Sequence, residues 1–349
     1  MPSPADPRMP TERIPPSTGG EIARTLSWTL LMVVLANVAA GAFLARFTPN
    51  EGYRLIREKW ALVDRHAEPI DWLILGDSSG NQGIDPAVFL ERGQGEALNL
   101  CTIGDLLAQH DAWMLEEYLA RAARPRQGVV ISHVYDVWHR DVNAALLGKV
   151  PLPWGFWERL EPTVSLSAAQ TRQLFLARFV PLWAESDSLA VAASAGPTVL
   201  SWPRTLDAAG FKAEDLPDES AVAKDAARHR SFTRKKSFRM SKVNAAALRR
   251  IVALAEEHQL DVYLVNSPLY EGLWEDSGFT AYYADVVAEI ERHVADQPRV
   301  HLLLREPMTF PASELVNVDH LTASGAERFT GRVIEEIAAS RRAAGPTAR

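Results

Sequence analysis

Five short apolar runs punctuate this chain, and most of them run without alternating with polar residues. They are Asp71 to Leu75, Ala97 to Ile103, Gly128 to Ser132, Asp261 to Val265 and Val300 to Leu304. A strand with one wet face reads apolar, polar, apolar. A strand buried on both faces reads as a continuous apolar run, the pattern of parallel sheets covered by helices on each side. Helical patterns separate the runs: Glu51 to Arg65, Ala87 to Glu91, Ala108 to Ala123, Val243 to His258, Thr280 to Val294 and Ser324 to Ala339. In Val243 to His258, for example, Leu248, Ile251, Val252 and Leu254 fall on one face. The alternation predicts an α/β fold with a parallel sheet, and ligands in such folds bind outside the carboxyl ends of the strands. Ser78, Gly104, Asp136 and the loop 266–270 lie at those ends.

A different kind of segment precedes the first strand. Residues 1–20 are rich in Pro, Ser, Thr and Gly and show no apolar periodicity, so residues 1–24 are expected to form a disordered cytoplasmic tail. Thr25 to Ala45 then carries no charge, and at about 1.5 Å per residue its 21 residues reach about 31 Å, the thickness of a bilayer core. Trp28 suits the interface. The segment reads as a retained signal anchor. A cleaved signal peptide, with processing at Ala39-Ala40-Gly41-Ala42, is the rival reading, and a buried soluble helix is the third. Arg8, Arg13 and Arg24 precede the span, whereas Arg46, Arg54, Arg57, Lys59 and Arg65 follow it. That count alone would place the C-terminal side in the cytoplasm, but long domains translocate largely regardless of charge.

Residues 140–240 interrupt the strand–helix alternation. Pro151 to Trp157 is aromatic and Pro-rich, and Ala168 to Trp183 has a helical pattern, so a helical insertion or lid is expected. Trp138, Trp154, Trp157, Trp183 and Trp202 fall in or beside it. They read either as core packing or as a platform for sugar rings, packing being the favoured reading. His229 to Arg239 is locally basic and reads as a solvated loop, with an anionic ligand as the alternative. Residues 341–349 are expected to form a disordered tail. The net charge of −7 argues against a nucleic-acid binder. The single cysteine, Cys101, excludes an intramolecular disulfide, and no Cys/His cluster with metal-ligand spacing is present. No metal or cofactor is expected.

The chemistry-bearing feature is Leu73-Ile74-Leu75-Gly76-Asp77-Ser78-Ser79, read together with Asp319-His320-Leu321. An apolar run ending in Gly-Asp-Ser sets a serine hydroxyl at the mouth of a buried strand. A serine becomes a nucleophile only when a positioned base takes its proton, and His320 is the candidate base. The plainer alternative is a strand-to-helix turn with a serine N-cap.

These blocks resemble the SGNH (GDSL) hydrolase superfamily in its membrane-anchored, extracytoplasmic form, which includes the alginate O-acetylation proteins and the D-alanyl transfer protein of teichoic acid synthesis. Four blocks define that pattern. The nucleophile turn is Gly76-Asp77-Ser78. The glycine after the second strand is Gly104. The third block, Gly-x-Asn-Asp in the family, reads His133-Val134-Tyr135-Asp136 here, with Tyr135 in place of the oxyanion asparagine. The last block reads Asn317-Val318-Asp319-His320, with Asn317 in place of the triad aspartate. The resemblance implies a flavodoxin-like three-layer sandwich over residues 46–340, with Ser78 as nucleophile and His320 as its base. It places Asn317 or Asp319 beside the imidazole, although Asp319, adjacent in sequence, is expected to point away unless the loop folds it back. Asp136, in a second Asp-x-x-His, is another source of a carboxylate. On the oxyanion and substrate side the resemblance places Asp77, Gly104 and Tyr135.

The resemblance further implies a serine O-acyltransferase or esterase acting on a cell-surface polysaccharide through a Ser78 acyl-enzyme. It would be a single-pass protein of the inner membrane with its C-terminal domain in the periplasm, working beside a membrane-bound O-acyltransferase partner. The departures at Tyr135 and Asn317 keep open an alternative: a catalytically weakened, glycan-binding or assembly component of an export complex. A lipase-like enzyme acting on membrane lipids is a third reading.

Overall fold

The computed structural model describes residues 19–343, except 67, 122, 123, 202–205 and 236. The expectations for residues 1–18, Trp202, Lys236 and residues 344–349 lie outside the described residues. Helix α1 spans Gly19–Phe47, so the stretch from 19 to 24 is helical and not a coil tail. Its residues Gly20–Phe47 are long and apolar enough to cross a membrane, and only 11% of their most apolar window is buried by the rest of the chain. Helix α2, Glu51–Arg65, follows after three residues. Asn50 caps it by accepting from the Tyr53 N–H at 3.0 Å, and Arg57 of α2 reaches back to the Leu44 carbonyl at 3.0 Å, satisfying a carbonyl at the end of α1.

The strands are β1 Trp72–Gly76, β2 Ala97–Asn99, β3 Gly128–His133, β4 Val262–Asn266, β5 Leu269–Tyr270, β6 Val300–Leu303 and β7 Thr309–Phe310. Five of them form one parallel sheet in the order β2-β1-β3-β4-β6, and β5 and β7 pair separately. Before β3 lie α3 Ser78–Gly83, α4 Pro86–Glu91 and α5 Leu107–Arg121. Between β3 and β4 come α6 Ala144–Leu147, α7 Phe156–Arg159, α8 Ala168–Phe179, α9 Pro181–Ala184, α10 Ser186–Ala195, α11 Glu219–Thr233 and α12 Lys242–Glu257. The chain closes with α13 Glu271–Trp274, α14 Ser277–Val294 and α15 Ala323–Ala343.

The absence of alternation in the strands has its cause in the layers. Leu73 and Leu75 of β1 pack with α2, α5, α12 and α14 through Trp60, Trp113, Leu248 and Val286. Trp72 and Ile74 of the same strand pack with α4 and α15 through Phe89, Phe329 and Val333. Both faces are therefore apolar and covered. The order reverses at β1: the chain first steps outward to β2, then crosses back to β3. A crevice opens at such a switch point, beyond the carboxyl ends of the central strands.

Several boundaries differ from the sequence reading: α15 continues to Ala343 where a tail is expected from 341, and α11 takes in His229 to Thr233, which are expected in a solvated loop. β2 stops at Asn99 although the apolar run continues to Ile103. The Asn99 side chain donates to the Gly80 and Ile84 carbonyls at 3.0 and 2.8 Å and accepts from the Cys101 N–H at 3.0 Å, which ties this edge to α3 and ends regular pairing. The helix expected from Ala168 to Trp183 is broken into α8 and α9, because Pro181 cannot donate into a continuing helix and sits at the start of the next one.

Lys59 of α2 is fully buried. Its ammonium donates to the Asn99 carbonyl at 2.7 Å, the Asn99 Oδ1 at 3.1 Å and the Gly210 carbonyl at 2.5 Å, and burial lowers its pKa to about 7. This lysine fastens α2 to the β2 edge and to the 206–211 loop.

Candidate active site

The Gly76-Asp77-Ser78 turn follows β1. Gly76 has φ +137°, and a Cβ there would lie 1.9 Å from the Ser132 carbonyl oxygen, so only glycine lets β1 and β3 run this close at their ends. Asp77 then caps α3 by accepting from the Ser79 N–H at 2.9 Å. Its second oxygen accepts from the Val134 N–H at 2.7 Å. Ser78 is the first residue of α3 and is half-buried.

His320 sits in the loop before α15, and Asn317 shapes that loop. The Asn317 Oδ1 accepts from the Asp319 N–H at 3.0 Å, the His320 N–H at 2.9 Å and the His320 Nδ1 at 2.7 Å. This collection of donors folds the next residues back, and the Asp319 Oδ1 comes to 2.5 Å from the same Nδ1. Asp319 therefore does not point away. Together, Asn317 and Asp319 fix the imidazole with its proton on Nδ1, leaving Nε2 as the acceptor. Burial alone would lower the His320 pKa. The Asp319 carboxylate, helped by Asp77, outweighs it and holds His320 above its ordinary value.

Ser78 and His320 line one cavity of about 190 Å3. Gly52 and Leu55 from α2, Asn81 from α3, and Lys212 form other parts of its wall. A larger hollow of about 930 Å3 between α14, β6 and α15 holds none of the residues singled out in the sequence.

Other expected site residues lie elsewhere. Tyr135 is buried with its hydroxyl 2.5 Å from His229 Nδ1 and its ring against Phe279 at 4.8 Å between centroids. It does not face the cavity, so it supplies no donor there. Asp136 is committed to Arg140 at 2.6 Å and supplies no carboxylate to His320. The Asp77 carboxylate is 1% exposed and bonded within the turn, so it builds the turn and does not line the cavity. Gly104 opens a single 3-10 turn directly over Asp77: a Cβ on it would lie 3.6 Å from the Asp77 Cβ and 3.2 Å from the Arg140 Nη1. No cluster of three His, Cys, Asp or Glu able to hold a metal occurs among the described residues.

Two features were missed from the sequence. The first is Asn81, one helical turn after Ser78. It is 1% exposed, lines the cavity, and its Oδ1 has no partner among the described residues. A side-chain amide can present either its oxygen or its NH2 by rotation about its last torsion. The second is a buried network behind the turn. His133 Nε2 lies 2.5 Å from Asp111 Oδ2, and its Nδ1 lies 3.5 Å from Asp77 Oδ2. Burial would lower the His133 pKa, but the two carboxylates, Asp111 foremost, push it up to about 10. Burial would raise Asp77, but His133, Ser79 and the Val134 N–H bring it down to about 2. The two carboxylates thus favour the charged form of His133, Asp111 through a hydrogen bond and Asp77 across 3.5 Å, while burial pushes Asp111 itself up. Asp111 also accepts from the Gly76 N–H at 3.1 Å. Ser79 bonds Asp77 and meets the Ser267 Oγ at 2.5 Å, and Ser267 reaches Ser132 at 3.3 Å.

Lys212 is the cation at the cavity rim. Burial works against its charge, but Glu214 at 2.7 Å and Glu51 at 3.2 Å outweigh that and raise its pKa. No protein-family model matches the chain, and no curated protein is similar enough to count as a match.

Proposed function

We propose that this chain is a membrane-anchored serine O-acyltransferase or esterase of the SGNH type, acting on a cell-surface polysaccharide through a Ser78 acyl-enzyme. The observation that carries the reading is the shared cavity: Ser78 and His320 line it together, and the imidazole is oriented at Nδ1 by Asn317 and Asp319. In the proposed cycle Ser78 Oγ attacks the acyl carbonyl while His320 Nε2 takes its proton. The tetrahedral intermediate collapses, the leaving group departs with that proton, and the acyl group stays on Ser78. An acceptor hydroxyl, or water, is then deprotonated by His320, attacks the ester, and frees the serine. Asp319 stabilises the imidazolium by charge, so Asn317 need not.

The oxyanion is assigned to the backbone N–H of Ser78 and to the Asn81 amide, each donor contributing on the order of 3 kcal/mol. A cavity of about 190 Å3 is smaller than the ~300–1,000 Å3 of pockets for drug-sized ligands, which favours a short acyl group such as acetyl. Placement in the inner membrane with the catalytic domain in the periplasm, and work beside a membrane-bound O-acyltransferase, belong to the same proposal. A second reading is a glycan-binding assembly component with weakened catalysis. It is favoured by one observation, the withdrawal of Tyr135 from the cavity.

The test is incubation of the folded full chain with a fluorophosphonate, followed by peptide mapping. Labelling of Ser78 that disappears in His320→Ala supports the enzyme. A folded protein that takes no label, yet binds an acylated glycan, would replace it with the second reading.

A further inference from the structure

The helices of the insertion next to α1 carry an apolar outer face. Phe175 and Phe179 of α8 are 47% and 45% exposed, Trp183 of α9 is 72% exposed, and Val191 of α10 is 51% exposed. A cluster of aromatic and aliphatic side chains of this kind is not ordinary water-facing surface. Trp183 is therefore neither a core residue nor part of the candidate cavity.

This face is joined to the apolar helix by specific contacts. Asn37 of α1 donates from Nδ2 to the Phe179 carbonyl at 2.6 Å and accepts from the Leu182 N–H at 3.3 Å. One turn on, a Cβ at Gly41 would touch the Pro181 ring at 3.4 Å, and Ala40 and Leu44 are buried. Asn37, Ala40, Gly41 and Leu44 have the i, i+3, i+4, i+7 spacing of one helix face. Small residues there let the backbones approach, as between helices inside a bilayer. Asn37 is the polar side chain in the middle of the charge-free run, and its partners are the unpaired backbone groups where α8 breaks into α9. Such groups need a protein partner where water is excluded.

Depth follows from helix geometry. Asn37 lies eight residues before Ala45, which is about 12 Å along the axis. If Thr25 to Ala45 occupies the bilayer core, the α8–α9 junction lies inside it too. Of the charges nearby, Lys149 pairs with Glu185 at 2.6 Å and Arg178 bonds the carbonyls of Val150 and Leu152, while Arg172 of α8 and Asp187 of α10 are exposed.

We propose that the apolar face of α8, α9 and α10 is immersed in the lipid bilayer beside α1, so that the protein enters the membrane as a helix with a three-helix collar. The proposal rests on α1 being a membrane anchor. Its partner is lipid acyl chains, and Trp183 and Phe179 face them. The insertion is then a membrane-embedding element, which the SGNH reading does not require.

The experiment uses the full chain in lipid nanodiscs with a single nitroxide label. Cys101 is fully buried, so an introduced cysteine is the reactive one. Three exposed positions are compared: Met32→Cys on α1, Trp183→Cys on the collar, and Leu216→Cys at an exposed position outside α8–α10. Collision with oxygen, which partitions into lipid, is measured against collision with a water-soluble nickel chelate. The expected result is oxygen-dominated relaxation at 32 and 183 and nickel-dominated relaxation at 216. Oxygen dominance at 32 with nickel dominance at 183 overturns the collar and leaves the anchor standing. Nickel dominance at 32 overturns the anchor reading and the collar with it. A label at 183 shielded from both reagents assigns the face to a second copy of the chain and overturns immersion in lipid.

Discussion

Ser78 and Ser79 are consecutive in one turn, and each has a histidine–carboxylate group on its own side. Ser78 opens on the cavity with His320, whose Nδ1 is held by Asp319 and Asn317. Ser79 is 1% exposed and bonds Asp77 and Ser267, with His133 and Asp111 beyond. The residue types are nearly the same on both sides. What separates them is access: the outer imidazole lies on the cavity, while the inner one is buried, its Nε2 bonded to Asp111 and its Nδ1 3.5 Å from Asp77. The same residue types meet a cavity on one side and are sealed in the core on the other.

The first way to break this comparison is Ser78→Ala. It should reduce acyl transfer or ester hydrolysis by about 10^4-fold or more, with the melting temperature unchanged, and steady-state kinetics beside calorimetry would read both. Appreciable turnover in that variant would remove the outer side from catalysis. The next effect in size belongs to the inner side. His133→Leu leaves Asp77 and Asp111 facing each other without their cation, and should cost about 3–5 kcal/mol in denaturant unfolding. A change within 1 kcal/mol would mean the network is not held by charge.

Ser79→Ala should cost about 1.5–3 kcal/mol, because it strips a buried bond from an ionised carboxylate, and should leave fluorophosphonate labelling of Ser78 intact. Loss of labelling there would show that the two sides are not separable.

The smallest effects are in pH. His320 must be neutral to act as a base, and its pKa is raised by Asp319, so kcat/KM should climb with pH through a midpoint above the ordinary histidine value of about 6.5. Asp319→Asn removes the raising charge and should move that midpoint down. For stability, His133 is raised in the folded state, so its contribution is complete below about pH 6.5 and is lost as pH rises through its folded pKa of about 10. Asp77 is depressed, so its contribution is present above about pH 4 and lost as pH falls through about 2. The wild type should therefore lose stability between about pH 6.5 and about pH 10 more steeply than His133→Leu, as unfolding midpoints across buffers would reveal.

The sheet was legible because burial on both faces leaves a direct trace, and Trp72 to Leu75 is apolar at every position for that reason. Ser78 and His320 were legible because a strand end and a pre-helix loop are where a parallel sheet delivers side chains to a crevice. The direction of a side chain after a strand ends is a different matter. Tyr135 holds the expected place in the chain, but beyond His133 the backbone turns and sends its ring among Phe279, Tyr282 and His229. Asp319 was misjudged for the opposite reason. Neighbouring side chains diverge on a regular backbone, and it takes the three donors gathered by Asn317 to fold this one back. Asp111 pairs with His133 only because α5 crosses the sheet at that height, and no local pattern carries such a crossing. Asn81 was within reach, since the third residue after Ser78 in a helix stands close to its own face.

The short link between α1 and α2 sets a geometric limit on what this cavity can meet. Gly52 and Leu55 are both cavity wall and the first turn after that link, and the four steps from Phe47 to Glu51 span at most about 14 Å even when fully stretched. The Arg57 bond to the Leu44 carbonyl takes up part of that slack. With α1 held in a bilayer, the cavity rides at a nearly constant altitude above the lipid. Its encounters then become a planar search. For the proposed polysaccharide substrate, a strand emerging from the membrane would cross that altitude at every repeat as it lengthens, while the same glycan free in bulk solution would cross it only by chance.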